Sequence, residues 1–181
     1  MYVICYGDSN TYGYDPRSYF GERYHADCRW VDILADKTGW EIRNEGMNGR
    51  EIPRNPMSVP EEVDILIIML GTNDLLQGSP VEKIAVRLEE FLLGLPQEKI
   101  LLIAPPPLKL GEWVPNQVWI DRSKQMAEAY QSLAARLNIR FADAGIWDVA
   151  LAYDGVHFTE AGHRAFAEGL LKELTSVYPD L

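Results

Sequence analysis

The chain is predicted to fold as a three-layer α/β/α sandwich on a mostly parallel five-stranded sheet, and three observations carry that reading. Short runs of β-branched and aromatic residues alternate with segments whose apolar residues recur at helical spacing, which is the pattern of repeated strand–helix units. Residues 63–70, VDILIIML, are almost continuously apolar, as a strand covered on both faces must be. No internal repeat, low-complexity tract or composition break divides the 181 residues. One domain spanning 1–181 is therefore expected, large enough to bury a core without disulfide or metal staples.

Taken in order, residues 2–6 form a first strand, and Gly7-Asp-Ser-Asn10 ends it with a glycine for a sharp exit and three helix-capping residues. Residues 11–24 have neither helical nor strand periodicity and read as a long, aromatic loop; loops of that length are often functional. Trp30, Val31, Ile33 and Leu34 mark a short amphipathic helix that Gly39 stops. Residues 40–43 give a second strand, followed by the turn-rich stretch 44–49. The apolar run 63–70 is the third strand, closed by Gly71-Thr-Asn-Asp74.

Val81, Ile84, Ala85, Leu88, Phe91 and Leu92 then recur at helical spacing, with Ser79 as cap and Pro80 in the first turn. Gly94 ends that helix. Residues 99–103 are a fourth strand, stopped by Pro105, Pro106 and Pro107. Residues 108–116 form a loop carrying Trp113, and a long helix spans 117–137. A short fifth strand covers 138–142. Residues 154–158 make a tight turn before a closing helix over 159–177, for which Thr159 is the N-cap candidate. The winding this implies is flavodoxin-like, and ligands in such sheets bind outside the carboxyl ends of the strands.

Acidic residues outnumber basic ones 27 to 17, for a formal net charge of −10. That balance argues against nucleic acid as a partner, which normally leaves a basic footprint. The two cysteines, Cys5 and Cys28, are too few for a disulfide framework and read as reduced thiols. The start shows no signal-peptide pattern, and the longest apolar run is far too short to span a bilayer. A cytoplasmic protein with no membrane partner is the expectation.

The ends of the first three strands carry Ser9, Gly49 and Asn73. Taken alone Ser9 reads first as a helix cap, and the rest of the chain turns the reading to a nucleophile, since a serine hydroxyl needs a neighbouring base to become reactive. There are three histidines, His25, His157 and His163. His25 lies in the early loop with no evident orienting carboxylate. His163 follows Glu160 by three inside the last helix, where a solvated surface pair is the simpler reading. His157 follows Asp154 by three, with Gly155 between them to permit a bend. Such a pair either caps a helix or holds an imidazole by one nitrogen while the other faces a hydroxyl. Acyl transfer further needs donors aimed at the developing oxyanion. Gly49 and Ser9 offer backbone N–H groups, and Asn73 offers a side-chain amide. Asp74 reads as a structural acceptor in its turn.

In this order, Gly7-Asp-Ser-Asn10, a glycine after Asn44, Gly71-Thr-Asn-Asp74 and Asp154-x-x-His157 resemble the blocks of the GDSL/SGNH hydrolase family, over about 150 of 181 residues. The resemblance implies Ser9 as nucleophile, His157 as general base and then acid, and Asp154 as its orienter. It implies an oxyanion hole of the Ser9 amide, Gly49 and Asn73. Gly49 is preferred to Gly46 because it lies five residues after Asn44, as the family pattern has it. Asn10 departs from the leucine frequent in the family's first block and sits behind the nucleophile.

Arg29-Trp30, 63–74, 104–108, Asp143-Ala-Gly145 and 154–159 are similar to the arylesterase and acyltransferase branch. Members of that branch hydrolyse short-chain esters, and some pass the acyl group to an alcohol. The chain looks trimmed relative to it between 51 and 63 and around 109–116, so subunit number and transferase ability do not carry over; a homo-oligomer stays open. The expected activity is a serine esterase with a small-molecule ester substrate, no cofactor and no metal. Rivals are a carbohydrate O-deacetylase or thioesterase with the same triad, and a non-catalytic binding protein on the same fold. A metallohydrolase is disfavoured because no second histidine falls at ligand spacing. Tyr12 and Trp113, with other aromatics of the early loop including Tyr14, either wall an apolar acyl or aryl pocket or cover a sheet edge or subunit contact.

Overall fold

A computed structural model of the chain describes residues 1–177. Its elements in order are β1 (Tyr2–Gly7), α1 (Ser9–Tyr12), α2 (Trp30–Thr38), β2 (Glu41–Gly46), β3 (Ile65–Met69), α3 (Thr72–Leu76), α4 (Val81–Leu93), β4 (Ile100–Ala104), α5 (Gln117–Leu137), β5 (Arg140–Asp143) and α6 (Glu160–Val177). The five strands form one sheet in the order β2-β1-β3-β4-β5. Every neighbouring pair in it is parallel. The flavodoxin-like order follows from the sequence pattern, because each parallel neighbour needs a crossover segment.

Alternate residues of the buried strands face opposite layers. Ile4, Leu66, Ile68, Ile100 and Leu102 pack with Ile84, Leu88 and Phe91 of α4 and Met126, Tyr130 and Leu133 of α5. Val3, Cys5, Ile65, Ile67, Leu101 and Ile103 pack on the other face with Trp30, Val31 and Leu34 of α2 and Phe166, Leu170 and Leu174 of α6. Two cores back to back explain why β3 is apolar at every position and buried at every position.

Several boundaries differ from the sequence expectation for local reasons. β2 starts after Trp40 and runs on through Asn44 and Glu45 to Gly46. Its register against β1 pairs Cys5 with Asn44 and Gly7 with Gly46; on an edge strand the backbone ladder, not side-chain polarity, fixes the length. Pro80, with extended backbone, stands at the cap of α4 in place of Ser79, and no side chain caps that end. The early loop begins as helix α1, and Tyr14 and Arg23 form an antiparallel bridge across its neck. Thr159 caps α6 as expected, its hydroxyl accepting from the Gly162 N–H at 3.0 Å. Among the described residues no helix is long and apolar enough to cross a membrane.

Candidate active site

Ser9 stands where the central strand β1 hands over to α1. Asp8, rather than Ser9, is the N-cap of α1, its carboxylate accepting from the Asn10 N–H at 2.9 Å. Ser9 is thus the first helical residue, and the first N–H groups of a helix have no acceptor within it. The Ser9 side chain is 6% exposed. Asp8 is fully buried, and burial raises its pKa from 3.8 to about 6, only partly offset by the Asn10 N–H, by His157 and by Arg50.

The turn after residue 153 folds around Asp154. Its Oδ1 accepts from the N–H groups of Val156 at 2.9 Å and His157 at 3.0 Å. Its Oδ2 lies 2.6 Å from His157 Nδ1. The other ring nitrogen, His157 Nε2, is 3.0 Å from Ser9 Oγ. Asp154 and His157 are 1% and 3% exposed. Burial raises the Asp154 pKa, but the hydrogen bonds from the His157 ring and the two backbone N–H groups outweigh it, so its carboxyl is held below the usual range. A carboxylate that stays ionised in the interior keeps Nδ1 as the donor and leaves Nε2 to accept the hydroxyl proton.

Two aromatic rings flank this imidazole. Tyr14 packs at 4.7 Å, tilted by 59°, and Trp113 meets it edge-on at 5.1 Å. Trp113 is 51% exposed, so one side of its ring stays open to solvent beside the imidazole. The loop that carries it is strapped to the Asp154 turn. The Lys109 N–H donates to the Gly155 carbonyl, Glu112 to Tyr153, and Trp113 to the Asp154 carbonyl, at 3.0–3.1 Å. The approach is so close that a Cβ on Gly111 would lie 2.4 Å from the Asp154 carbonyl carbon, and one on Gly155 would lie 2.1 Å from the Lys109 oxygen.

The third and second strand ends meet on the other side of Ser9. Gly71, at φ 108°, turns the chain into α3, and a Cβ there would lie 2.0 Å from the Tyr130 hydroxyl oxygen. This backbone sets Asn73, whose Nδ2 donates to the Arg50 carbonyl at 3.0 Å. An amide nitrogen has a second hydrogen to offer. Gly49 precedes Arg50 in an exposed turn at φ 71°. The Gly46 N–H is taken by Asn44 Oδ1 at 2.9 Å, which leaves Gly49 as the better donor of the two glycines. Asp74 reaches beyond its own turn: it accepts from the Ile52 N–H at 3.0 Å and pairs with Arg87 at 2.6 Å.

Some sequence readings change. The Tyr12 ring lies under the Arg23 guanidinium at 4.5 Å, and Tyr14, beyond the end of α1, is the early-loop aromatic recorded against the imidazole. His163 is no surface partner of Glu160. It is completely buried, its Nδ1 accepting from the Trp30 N–H at the start of α2. Burial, with Arg29 and His157 nearby, lowers its pKa to about 3. Glu160 pairs instead with Arg17 and Arg164.

Arg50, which the sequence pattern does not single out, joins the ends of β1 and β2. Its guanidinium donates to the Gly7 carbonyl at 3.0 Å and to the Glu45 carbonyl, and lies over the Tyr6 ring at 4.1 Å. Its position directly after the second-block glycine was the available signal.

An all-parallel five-stranded sheet with Ser9, His157 and Asp154 in one hydrogen-bonded line at its carboxyl edge is an arrangement able to support serine-hydrolase chemistry. The sequence pattern of the GDSL-like Lipase/Acylhydrolase family matches residues 5–165. The chain belongs to that family and is a carboxylic-ester hydrolase. Comparison with curated protein sequences finds no match. Among solved structures, the aryl esterase of M. smegmatis is 27% identical, with a TM-score of 0.77, over 97% of this chain and 98% of that one. A carbohydrate acetylesterase family member from Sinorhizobium meliloti is 25% identical, with a TM-score of 0.79, over 98% and 99%. A lipase/acylhydrolase from Enterococcus faecalis, 23% identical with a TM-score of 0.77 over 97% and 96%, shares the fold.

Proposed function

We propose that the chain hydrolyses short-chain carboxylic esters through an acyl-enzyme on Ser9. The observation that carries this is the continuous line Ser9 Oγ–His157 Nε2, His157 Nδ1–Asp154 Oδ2, at 3.0 and 2.6 Å in a buried setting. His157 takes the Ser9 proton as Oγ bonds to the ester carbonyl carbon, and the ionised Asp154 steadies the imidazolium. The same proton goes to the departing alcohol as the C–O bond breaks. Water then enters, loses a proton to His157 and releases the acid, restoring the Ser9 hydroxyl. The oxyanion of each tetrahedral intermediate is received by the N–H of Ser9, the N–H of Gly49 and the Nδ2 of Asn73. Tyr14 and Trp113 leave little room beside the imidazole, which favours a short acyl group such as acetyl. An alcohol resting on the exposed Trp113 face can replace water in the second step and accept the acyl group.

A second reading, deacetylation of a carbohydrate, is favoured by the likeness to the S. meliloti acetylesterase and by the exposed indole beside the site, since sugars also pack on aromatic faces. Acyl-chain profiling on nitrophenyl esters, beside acetylated sugars and acyl-thioesters and with Ser9→Ala as control, separates these readings. Hydrolysis falling steeply beyond short acyl chains supports the first; a strong preference for acetylated sugars selects the second; full activity in Ser9→Ala overturns both.

A further inference from the structure

We infer that Asn10 is the positioning residue that sets the distance between nucleophile and base; the inference rests on Ser9 and His157 having those roles. Asn10 is the covalent neighbour of Ser9 and is 4% exposed. Its side chain reaches 146 and 148 residues along the chain to grip both neighbours of His157. Nδ2 donates to the Val156 carbonyl at 3.1 Å, and Oδ1 accepts from the Phe158 N–H at 2.9 Å. The amide, with a donor and an acceptor on one planar group, satisfies both partners at once without depending on pH. The Asn10 backbone is fixed from two further sides. Its N–H is held by Asp8, and its carbonyl accepts from the Trp30 indole at 2.9 Å.

The result is a closed ring of contacts. Ser9 is bonded to Asn10, Asn10 is tied to residues 156 and 158, and His157 between them returns to Ser9 Oγ. The 154–158 turn is braced internally by Asp154 and by the Ala152 N–H, which donates to the His157 carbonyl at 2.7 Å. Those contacts shape the turn but do not place it against α1. The Asn10 amide does. It serves the reaction at a distance by holding Nε2 where it can accept the Oγ proton. A leucine there fills similar space but makes neither bond and leaves the Val156 carbonyl and Phe158 N–H without these partners.

The groups that titrate around Asn10 are Asp8 on its own turn, Asp154 and His157 on the facing turn, and His163 on α6, which packs against the Phe158 ring at 5.3 Å. An aspartate at this position keeps the acceptor for Phe158 but, once ionised, opposes the Val156 carbonyl. Protonated, it is a near match for the amide.

The test uses Asn10→Leu and Asn10→Asp beside Ser9→Ala, following hydrolysis of nitrophenyl acetate, fluorophosphonate labelling of Ser9 and thermal unfolding. Misplacing a reacting pair by about 1 Å costs ~10²-fold. Asn10→Leu is therefore expected to lose about 10²-fold in kcat and in labelling rate with KM little changed, while remaining folded. Asn10→Asp is expected to lose kcat progressively as rising pH ionises the introduced carboxyl, a descending limb foreign to the parent enzyme. Folded Asn10→Leu with parental kcat and labelling rate, or Asn10→Asp with the parental pH profile, overturns the inference while Ser9→Ala stays inactive. Full activity in Ser9→Ala instead overturns the nucleophile assignment beneath it.

Discussion

The side of the site that carries Ser9 and His157 is sealed from solvent, whereas the side that carries Gly49 and Asn73 lies partly open to it. On the sealed side, each peptide around His157 has its partner within a few residues or through Asn10. The open side is held by side chains from elsewhere: the Arg50 carbonyl receives Asn73, the Arg50 guanidinium ties back to β1, and Asp74 fastens residue 52. A buried hydrogen bond is stronger and costlier to break than one in contact with water. On the proposed mechanism, proton transfer, which depends on one short distance, falls to the more deeply buried half, and reception of the oxyanion to the half nearer solvent.

The comparison can be broken most sharply at Ser9. Ser9→Ala should lower kcat by about 10⁶-fold, and adding His157→Ala should cost almost nothing further, because the two act as a unit. If the losses multiply, the sealed half is not one device. Asn73→Ala on the open side should cost about 10²–10³ in kcat with KM little altered; a loss as large as that of Ser9→Ala erases the distinction between the halves.

The sealed half also makes a claim about stability. The raised pKa of Asp8 means that folding favours its protonated form. Its contribution is present below about pH 4 and lost as pH rises towards 6, by roughly 2–3 kcal/mol at ~1.4 kcal/mol per unit. His163 slopes the other way: its lowered pKa gives a contribution present above about pH 6.5 and lost as pH falls towards 3. Denaturant melts from pH 4 to 7 should show Asp8→Asn gaining stability relative to the parent as pH rises. In the same series His163→Gln should lose the parent's acid sensitivity. Parallel curves for parent and both variants refute these assignments. The smallest effect is expected at Arg50. Arg50→Met should cost about 10-fold in kcat through a slackened Asn73 turn. Fluorophosphonate labelling of Ser9 should change less than turnover of an ester, because the sealed half is untouched.

Much of this was legible in the chain. The continuous apolar run of β3 and the strand–helix order around it announce the sheet, and Asp154-x-x-His157 needs only three residues of spacing to bring carboxylate and imidazole together. Ser9, Asn73 and the closing turn were readable because each lies where a strand ends. What stayed hidden depends on contacts between distant segments. Nothing local distinguishes a histidine buried beneath α2 from one on a helix surface, so the spacing to Glu160 predicts a surface pair where the structure buries His163. Tyr12 and Tyr14 are equally aromatic, and nothing local tells which of them packs against His157. Asn10 looked passive because its two partners lie 146 and 148 positions away. Arg50 owes its place to the pairing of β1 with β2, which periodicity does not reveal.

The strap between residues 109–113 and the Asp154 turn couples the loop that carries Trp113 to the carboxylate that holds His157. Where Gly111 and Gly155 meet, there is no room for a side chain on either strand of the contact. A longer or exchanged loop would therefore drag the histidine's carboxylate with it. Anyone seeking to retune this enzyme for bulkier esters should leave the loop's length alone and replace the Trp113 side chain. Descendants of the chain face the same constraint: they can vary what stands on the strap far more freely than the strap itself.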